Sequence, residues 1–335
     1  MSNQTAMQTE NPLDYATDPR ISYGTREFLK QLNSPAPPEL EKLSPEEARK
    51  VLEGAQASVD VDYSGIEESE KTVTADGYEI KLNIVRPEGK TEKLPVFMFI
   101  HGGGWVLGDY PTHKRLVRDL VVGSGFAAVF VNYTRTPEAV YPQQINEIYA
   151  ATKWVAENGD EINVDGKNLA IVGNSVGGNM SAVLALMAKD KGGPEIKLQV
   201  LMWLVADSDF ERESWKQFGA DRFLSAPLMK WMWDLYISDA EKRKEIYATP
   251  FNASIEQLKG LPPALIQVAE NDILRDEGED YGRKLDEAGV KVTTVRYDGM
   301  IHDFGLLNGL AELPQVRSLF EHASAELKKH LGSNS

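Results

Sequence analysis

The chain has 335 residues, no cysteine and a formal charge of −15 at neutral pH. Such a length spans two average domains or one α/β core with insertions, and without cysteine there are no disulfides, thiolate nucleophiles or cysteine metal sites. So acidic a surface repels phosphate backbones and anionic membranes, so neither nucleic acid nor a membrane is an expected partner.

The opening "MSNQTAMQTENPLDY" has neither the basic end nor the apolar stretch of a secretory signal. No window reaches the length of a membrane span, so the expected location is the cytoplasm. The first dozen residues and the tail "GSNS" are polar, and mobility is expected of both. Two helices are predicted next. The second opens at "SPEE", where Ser44 can cap, Pro45 suits the first helical position and Glu47 completes a capping box ahead of Val51 and Leu52.

From about residue 65 the texture changes to short β-rich runs. In "EKTVTADGYEIKLNIVRP", Asp76 and Gly77 mark a hairpin between alternating segments. The strands that follow read "PVFMFI", "AAVFVNY", "LAIVGN", "LQVLMWLV", "PALIQVA" and "VTTVRY", mostly continuously apolar, as strands covered on both faces must be. Helical stretches at 143–157, 177–190, 277–288 and 313–330 separate them, the third stopping at Gly289. This alternation predicts an α/β protein with a mostly parallel, doubly covered sheet and an antiparallel N-terminal hairpin at its edge. The aromatic-rich stretch 207–256 interrupts the alternation. With the N-terminal helices it reads as a helical cap, so residues 1–335 form one domain: a cap from about 1–57 and 207–256, a core from about 65–206 and 257–331. No internal repeat or low-complexity linker marks a second domain.

Ligands of open α/β sheets bind at the carboxyl ends of the strands, so residues just beyond each strand carry the chemistry. Ser175, in "GNSVG", directly follows the strand "LAIVGN" and precedes a helix, with Gly173 and Gly177 allowing the tight reversal that lifts its hydroxyl clear of the sheet. Gly-x-Ser-x-Gly alone arises by chance roughly one time in ten in a chain this long, and a glycine-rich turn with a capping serine is its plain alternative. A serine nucleophile needs a base, and the base an orienting group. Of the five histidines, His322 and His330 fall in a C-terminal helix and are expected to be exposed, and His113 is expected at the surface or in a structural role. His302 follows the last strand and is the best base by position. Asp272 follows "PALIQVA" and lies between Ser175 and His302, the order of hydrolase triads. Asp276 is the runner-up, with an alternative role as a first-turn carboxylate on its helix dipole.

Beyond "PVFMFI" stands "HGGGW". Consecutive glycines are costly in entropy but let backbone N–H groups approach a developing oxyanion, so Gly103 and Gly104 are the expected donors, joined by Val176 after the nucleophile. A phosphate-cradling loop fails on context, since no Lys-Ser/Thr follows. His101 is expected to hold the loop by hydrogen bonds. Trp105 after the glycines, and Trp215, Phe218 and Trp231 in the cap, are candidate pocket residues; Phe223 and Trp233 lie in the same segment, and packing of cap on sheet is the alternative for all of these aromatics.

With "HGGGW", "VNYTRTPE", "GNSVGGN", "NDILRDEG" and "YDGMIHDF" in order over roughly residues 70–325, the sequence closely resembles the hormone-sensitive-lipase-like (HGGG motif) bacterial carboxylesterases of the α/β-hydrolase fold. The resemblance implies Ser175 as nucleophile, Asp272 as acid, His302 as base and an oxyanion hole at Gly103, Gly104 and Val176. It implies short-chain ester hydrolysis through an acyl-enzyme with no cofactor and no metal, and dimers through the edge of the last strand. The chain departs from the family pattern at Asn174 (usually Asp), Val176 (usually Ala), "YTRTPE" and Asp303 (commonly Gly), and a carboxylate beside His302 is expected to raise its pKa. Lactonase or amidase activity on the same triad, or a non-catalytic ligand-binding role, are the alternatives to a small-molecule ester substrate.

Overall fold

The computed structural model describes residues 14–332. The first dozen residues and the tail beyond Gly332, for which the sequence suggests mobility, lie outside the described residues. In chain order the helices are α1 (Tyr23–Leu32), α2 (Pro45–Ala57), α3 (Tyr110–Ser124), α4 (Gln143–Asn158), α5 (Val176–Asp190), α6 (Glu213–Phe218), α7 (Ala226–Tyr236), α8 (Ile255–Leu258), α9 (Arg275–Glu287) and α10 (Pro314–Leu331). The strands are β1 (Ile66–Ala75), β2 (Tyr78–Pro87), β3 (Leu94–Ile100), β4 (Ala127–Asn132), β5 (Val164–Asn174), β6 (Gln199–Met202), β7 (Ala264–Asn271) and β8 (Val292–Ile301).

These strands form one eight-stranded sheet in the order β1-β2-β4-β3-β5-β6-β7-β8. The β1–β2 hairpin is antiparallel, as expected, and turns through Asp76 and Gly77, both at positive φ as a tight two-residue connection requires. β2 meets β4 antiparallel, and every later pairing is parallel. β8 forms the other edge. The apolar runs divide by alternation: Val96, Met98 and Ile100 of β3 face α4, α5 and α9, whereas Phe97 and Phe99 face α3 and α10. A continuously apolar strand is thus read by two layers of helix at once.

Local chemistry explains the helix starts. In α2 the Ser44 hydroxyl accepts from the Glu47 N–H at 3.3 Å and the Glu47 carboxylate accepts from the Ser44 N–H at 3.0 Å, the predicted capping box. One strand is shorter than its apolar run suggests. β6 stops at Met202 because Trp203 adopts a φ of 36° and the Val205 N–H donates to the Ser175 carbonyl at 3.2 Å instead of continuing the ladder.

Residues 207–256 fold as α6, α7, short connecting turns and the start of α8. α7 lies over the loops that leave β3 and β4: Trp233 packs on Trp105 with ring centroids 4.7 Å apart, and the Thr136 hydroxyl donates to the Leu235 carbonyl at 3.0 Å. The N-terminal segment joins the same assembly. Arg49 of α2 donates to the Val106 carbonyl at 2.8 Å and the Thr136 carbonyl at 3.0 Å, and Arg222 reaches the buried Asp18 carboxylate at 2.8 Å.

Candidate active site

β5 ends at Asn174 and α5 begins at Val176, leaving Ser175 alone in the corner at φ 54°, ψ −122°. Few L-residues adopt that conformation, and here the surroundings hold it. The Ser175 N–H donates to the Met202 carbonyl at 2.9 Å, and its own carbonyl accepts from Asn179 at 3.1 Å and Val205 at 3.2 Å. Glycine at 177 is obligatory, since a Cβ there would sit 2.0 Å from the Ile100 carbonyl oxygen of β3. The corner therefore presses the serine against the end of the neighbouring strand.

The loops after β7 and β8 deliver the partners. His302 Nε2 lies 3.0 Å from Ser175 Oγ, and Nδ1 lies 2.7 Å from Asp272 Oδ2. The second carboxylate oxygen of Asp272 accepts the Leu274 N–H at 3.0 Å, so the acid is clamped from both sides. Ser175, Asp272 and His302 are all buried. Burial by itself disfavours imidazolium, but the carboxylates of Asp272 and Asp303 outweigh it, and the His302 pKa is raised above 6.5.

The other titratable candidates are placed elsewhere. Asp276 accepts the Ser214 N–H at 2.8 Å and pairs with its neighbour Arg275, which fastens α6 to α9 and keeps it away from the histidine. His322 and His330 are half-buried on α10 instead of exposed, because that helix packs on the sheet. His113 is fully buried, so of its two expected roles the structural one applies. Its Nδ1 lies 3.1 Å from the Asp109 carbonyl, and burial lowers its pKa to about 4. His101 packs between Phe130 and Tyr133 with its Nδ1 2.8 Å from the Gly102 carbonyl, and burial, then the nearby His113, pushes its pKa well below 6.5. Both stay neutral.

The glycine loop turns tightly, with the Leu107 N–H donating to the Gly103 carbonyl at 2.7 Å. At Gly104, φ is 62° and a Cβ would lie 1.9 Å from Met232 Sδ of α7, so the backbone there is bare and directly covered. Val176 is the first residue of α5, whose N–H has no helical acceptor. Among the described residues, no protein acceptor takes the N–H of Gly103, Gly104 or Val176.

The aromatic candidates separate into two groups. Trp105 is fully buried and stacks on Tyr236 at 4.2 Å, joining Trp233 above the glycine loop. Trp215 instead donates its indole N–H to Glu277 at 3.2 Å, and Phe218 lies beneath the guanidinium groups of Arg20, Arg222 and Arg275. Trp231 is half-buried against the core, and Phe223 is half-buried at a φ of 74°.

Sequence reasoning did not find Met232 over Gly104, nor Glu277, a fully buried carboxylate that accepts the N–H groups of Ala206 and Asp207 and has its pKa raised well above 4.5 by burial and by the Asp207 charge. Nor did it join Asn174 to Asp303, which are 129 positions apart and hydrogen-bonded at 3.3 Å. No local signal connects such residues. Among the described residues, no group of three or more His, Asp or Glu side chains could hold a metal ion, and no helix is long and apolar enough to cross a membrane.

Comparison with known proteins places this geometry among relatives. The profile of the alpha/beta hydrolase fold family matches residues 97–306. The structure of a thermostable esterase from Pseudomonas putida superposes with a TM-score of 0.93 at 59% identity, over 93% of this chain and 98% of that one. Carboxylesterase NlhH of Mycobacterium tuberculosis is 36% identical over 268 residues, 78% of this chain and 82% of its own length. An ethyl acetate hydrolase of Pseudomonas putida is 29% identical over 242 residues, 71% of this chain and 76% of that protein.

Proposed function

Because the chain belongs to the alpha/beta hydrolase fold family and is a carboxylic ester hydrolase, we propose that it cleaves short-chain esters with Ser175 as nucleophile, His302 as base and Asp272 as orienting acid. The observation that carries this reading is the buried chain of contacts from Ser175 Oγ to His302 at 3.0 Å and on to Asp272 at 2.7 Å.

In acylation, Ser175 Oγ bonds to the ester carbonyl carbon as its proton passes to His302 Nε2 and the carbonyl π pair moves onto oxygen. Asp272 holds the Nδ1–H tautomer, which leaves the Nε2 lone pair facing the serine, and then stabilises the imidazolium. The uncommitted N–H groups of Gly103, Gly104 and Val176 are the donors for the oxyanion, and their alternatives in the ground state are water or substrate. His302 gives its proton to the leaving alkoxide as the ester C–O bond breaks, takes one from the water that attacks the acyl carbon, and returns that proton to Ser175 Oγ as the acyl-enzyme bond breaks and the acid departs.

Residues 14–57 and 207–256 act as a cap in this reading, supported by the Arg49 and Arg222 contacts that tie both segments to each other and to the loops bearing the site. The close cover of Met232 on Gly104, with Trp105 behind it, supports a small acyl group, as does the substrate that names the ethyl acetate hydrolase among the relatives. The test is a series of p-nitrophenyl esters from acetate to dodecanoate with the parent and Ser175→Ala. Turnover should be greatest for the short acyl chains and vanish in the variant, along with labelling by a fluorophosphonate. Ser175→Ala turning over at the parent rate refutes the triad, and an optimum at dodecanoate refutes the small acyl pocket.

A further inference from the structure

Behind the nucleophile lies a polar bridge that the steps above do not use. Asp303, next to the base, sits at φ 59°, a left-handed conformation that folds its carboxylate back beside the imidazole. One oxygen accepts the Trp203 indole N–H at 2.7 Å and the Asn174 amide at 3.3 Å; the other lies 3.8 Å from His302 Nε2, on the side of the ring that faces Ser175. Asn174, immediately before the nucleophile, accepts the Gly102 N–H at 2.9 Å with its carbonyl oxygen. A Cβ on Gly102 would fall 2.6 Å from the Asn174 Nδ2, so that contact exists only because residue 102 is glycine. His113 fixes which way the amide points. Its Nδ1 faces the Asp109 carbonyl and so carries the hydrogen, which leaves Nε2 to accept from Asn174 Nδ2 at 3.4 Å.

We propose that Asp303 is a positioning residue for His302, and that Asn174 couples it to the glycine loop. The bridge runs Gly102 N–H to Asn174 carbonyl, then Asn174 amide to Asp303 carboxylate, and it leaves a carboxylate at each nitrogen of the base. Only a side chain that accepts at one end and donates at the other can occupy position 174, because a carboxylate there would face that of Asp303. As the proton leaves Ser175, the positive charge forming on the ring lies between Asp272 and Asp303, so proton transfer is favoured over a ring held by Asp272 alone. The titratable groups facing His302 are Asp272 and Asp303; His113 and His101 beyond them are neutral, with Asp109 and Arg115 acting on His113 and Arg135 on His101.

The inference rests on His302 being the base, and the test separates the two. Asp303→Asn and Asn174→Asp are compared with the parent by kcat/KM for p-nitrophenyl acetate against pH and by urea unfolding. Asp303→Asn keeps a carbonyl oxygen for the Trp203 and Asn174 N–H groups and removes only the charge beside the ring. Asp303→Asn should lower the midpoint of the acid limb by about one pH unit and reduce the plateau roughly tenfold, mainly in kcat. Asn174→Asp should be the least stable variant. The Asp303→Asn urea midpoint should stay near the parent's while its acid limb falls, which a scaffold role alone does not produce. An Asp303→Asn profile superimposable on the parent, or a loss of activity in that variant with the acid limb unmoved, overturns the proposal. Full activity of Ser175→Ala and His302→Ala in the same assay overturns it together with the triad, whereas their inactivity beside an unchanged Asp303→Asn overturns this inference alone.

Discussion

Replacing Asp272 by asparagine tests how the base is prepared. The two side chains are 3% and 1% exposed and meet at 2.7 Å, so water screens neither. Unit charges about 4 Å apart at an effective dielectric near 20 interact by about 4 kcal/mol, which at about 1.4 kcal/mol per decade is a rate loss of roughly 10³ when imidazolium loses that partner. Orientation adds to the loss. Asp272 Oδ1 is bound by the Leu274 N–H, so asparagine keeps its carbonyl oxygen there and turns its amide NH₂ toward His302. The ring then accepts at Nδ1, carries its hydrogen at Nε2 and cannot take the serine proton. The expected loss in kcat/KM for p-nitrophenyl acetate at neutral pH is therefore 10³-fold or more by this estimate, with a urea midpoint near the parent's. Asp276→Asn, which loosens α6, should leave most of the activity. An Asp272→Asn enzyme within tenfold of the parent, or an Asp276→Asn enzyme as weak as Asp272→Asn, defeats the reasoning.

Other expectations follow from single contacts. Gly177→Ala should cost about 1–3 kcal/mol or more, because the added Cβ meets the β3 backbone at 2.0 Å; Gly54→Ala in α2, where the space is open, should gain about 0.5–1 kcal/mol, and urea curves showing equal stability for the two variants contradict the packing argument. The acid limb of parent kcat/KM should have its midpoint above 6.5, since the His302 pKa is raised and only the neutral ring accepts a proton; a midpoint near 5 counts against it. The pKa of Glu277 is raised on folding, so its stabilising contribution is complete below about 4.5 and is lost as pH rises through the folded value. Glu277→Gln removes that dependence and turns an NH₂ toward the Trp215 indole N–H, so the stability gap to the parent should be widest at low pH and narrow as pH rises; a gap independent of pH refutes this. Gly104→Ala should fall in kcat more than in stability, as the loop shifts away from Met232, and an unchanged kcat would show that the amide there is not aimed at the reacting carbonyl.

Signals carried within a few residues were legible in the chain itself. The Ser44 capping box, the Asp76-Gly77 turn, the apolar strand runs and the small residues around Ser175 are each set by neighbours in sequence, through backbone conformation and periodicity. Strand ends in an open parallel sheet gather at one edge, so a serine, an aspartate and a histidine that each follow a strand fall together by topology, and the site could be anticipated from order alone. The length of β6 could not, because "LQVLMWLV" carries no break signal and the strand ends through the positive φ of Trp203 and the hydrogen bond from Val205 to the Ser175 carbonyl. Nor could the burial of His113, whose helix looks solvated until Phe99, His101 and Phe130 close around it.

The class of fold, the positions of the turns and the strand-end placement of Ser175, Asp272 and His302 are thus readable along the chain. Which aromatics cover the glycine loop, which carboxylate meets Arg222 and which amide joins Gly102 to Asp303 is settled in three dimensions. The difference is one of range: propensity and periodicity act along a few residues of chain, whereas charge, close packing and hydrogen bonding act across space between side chains that 100 or more positions of sequence separate.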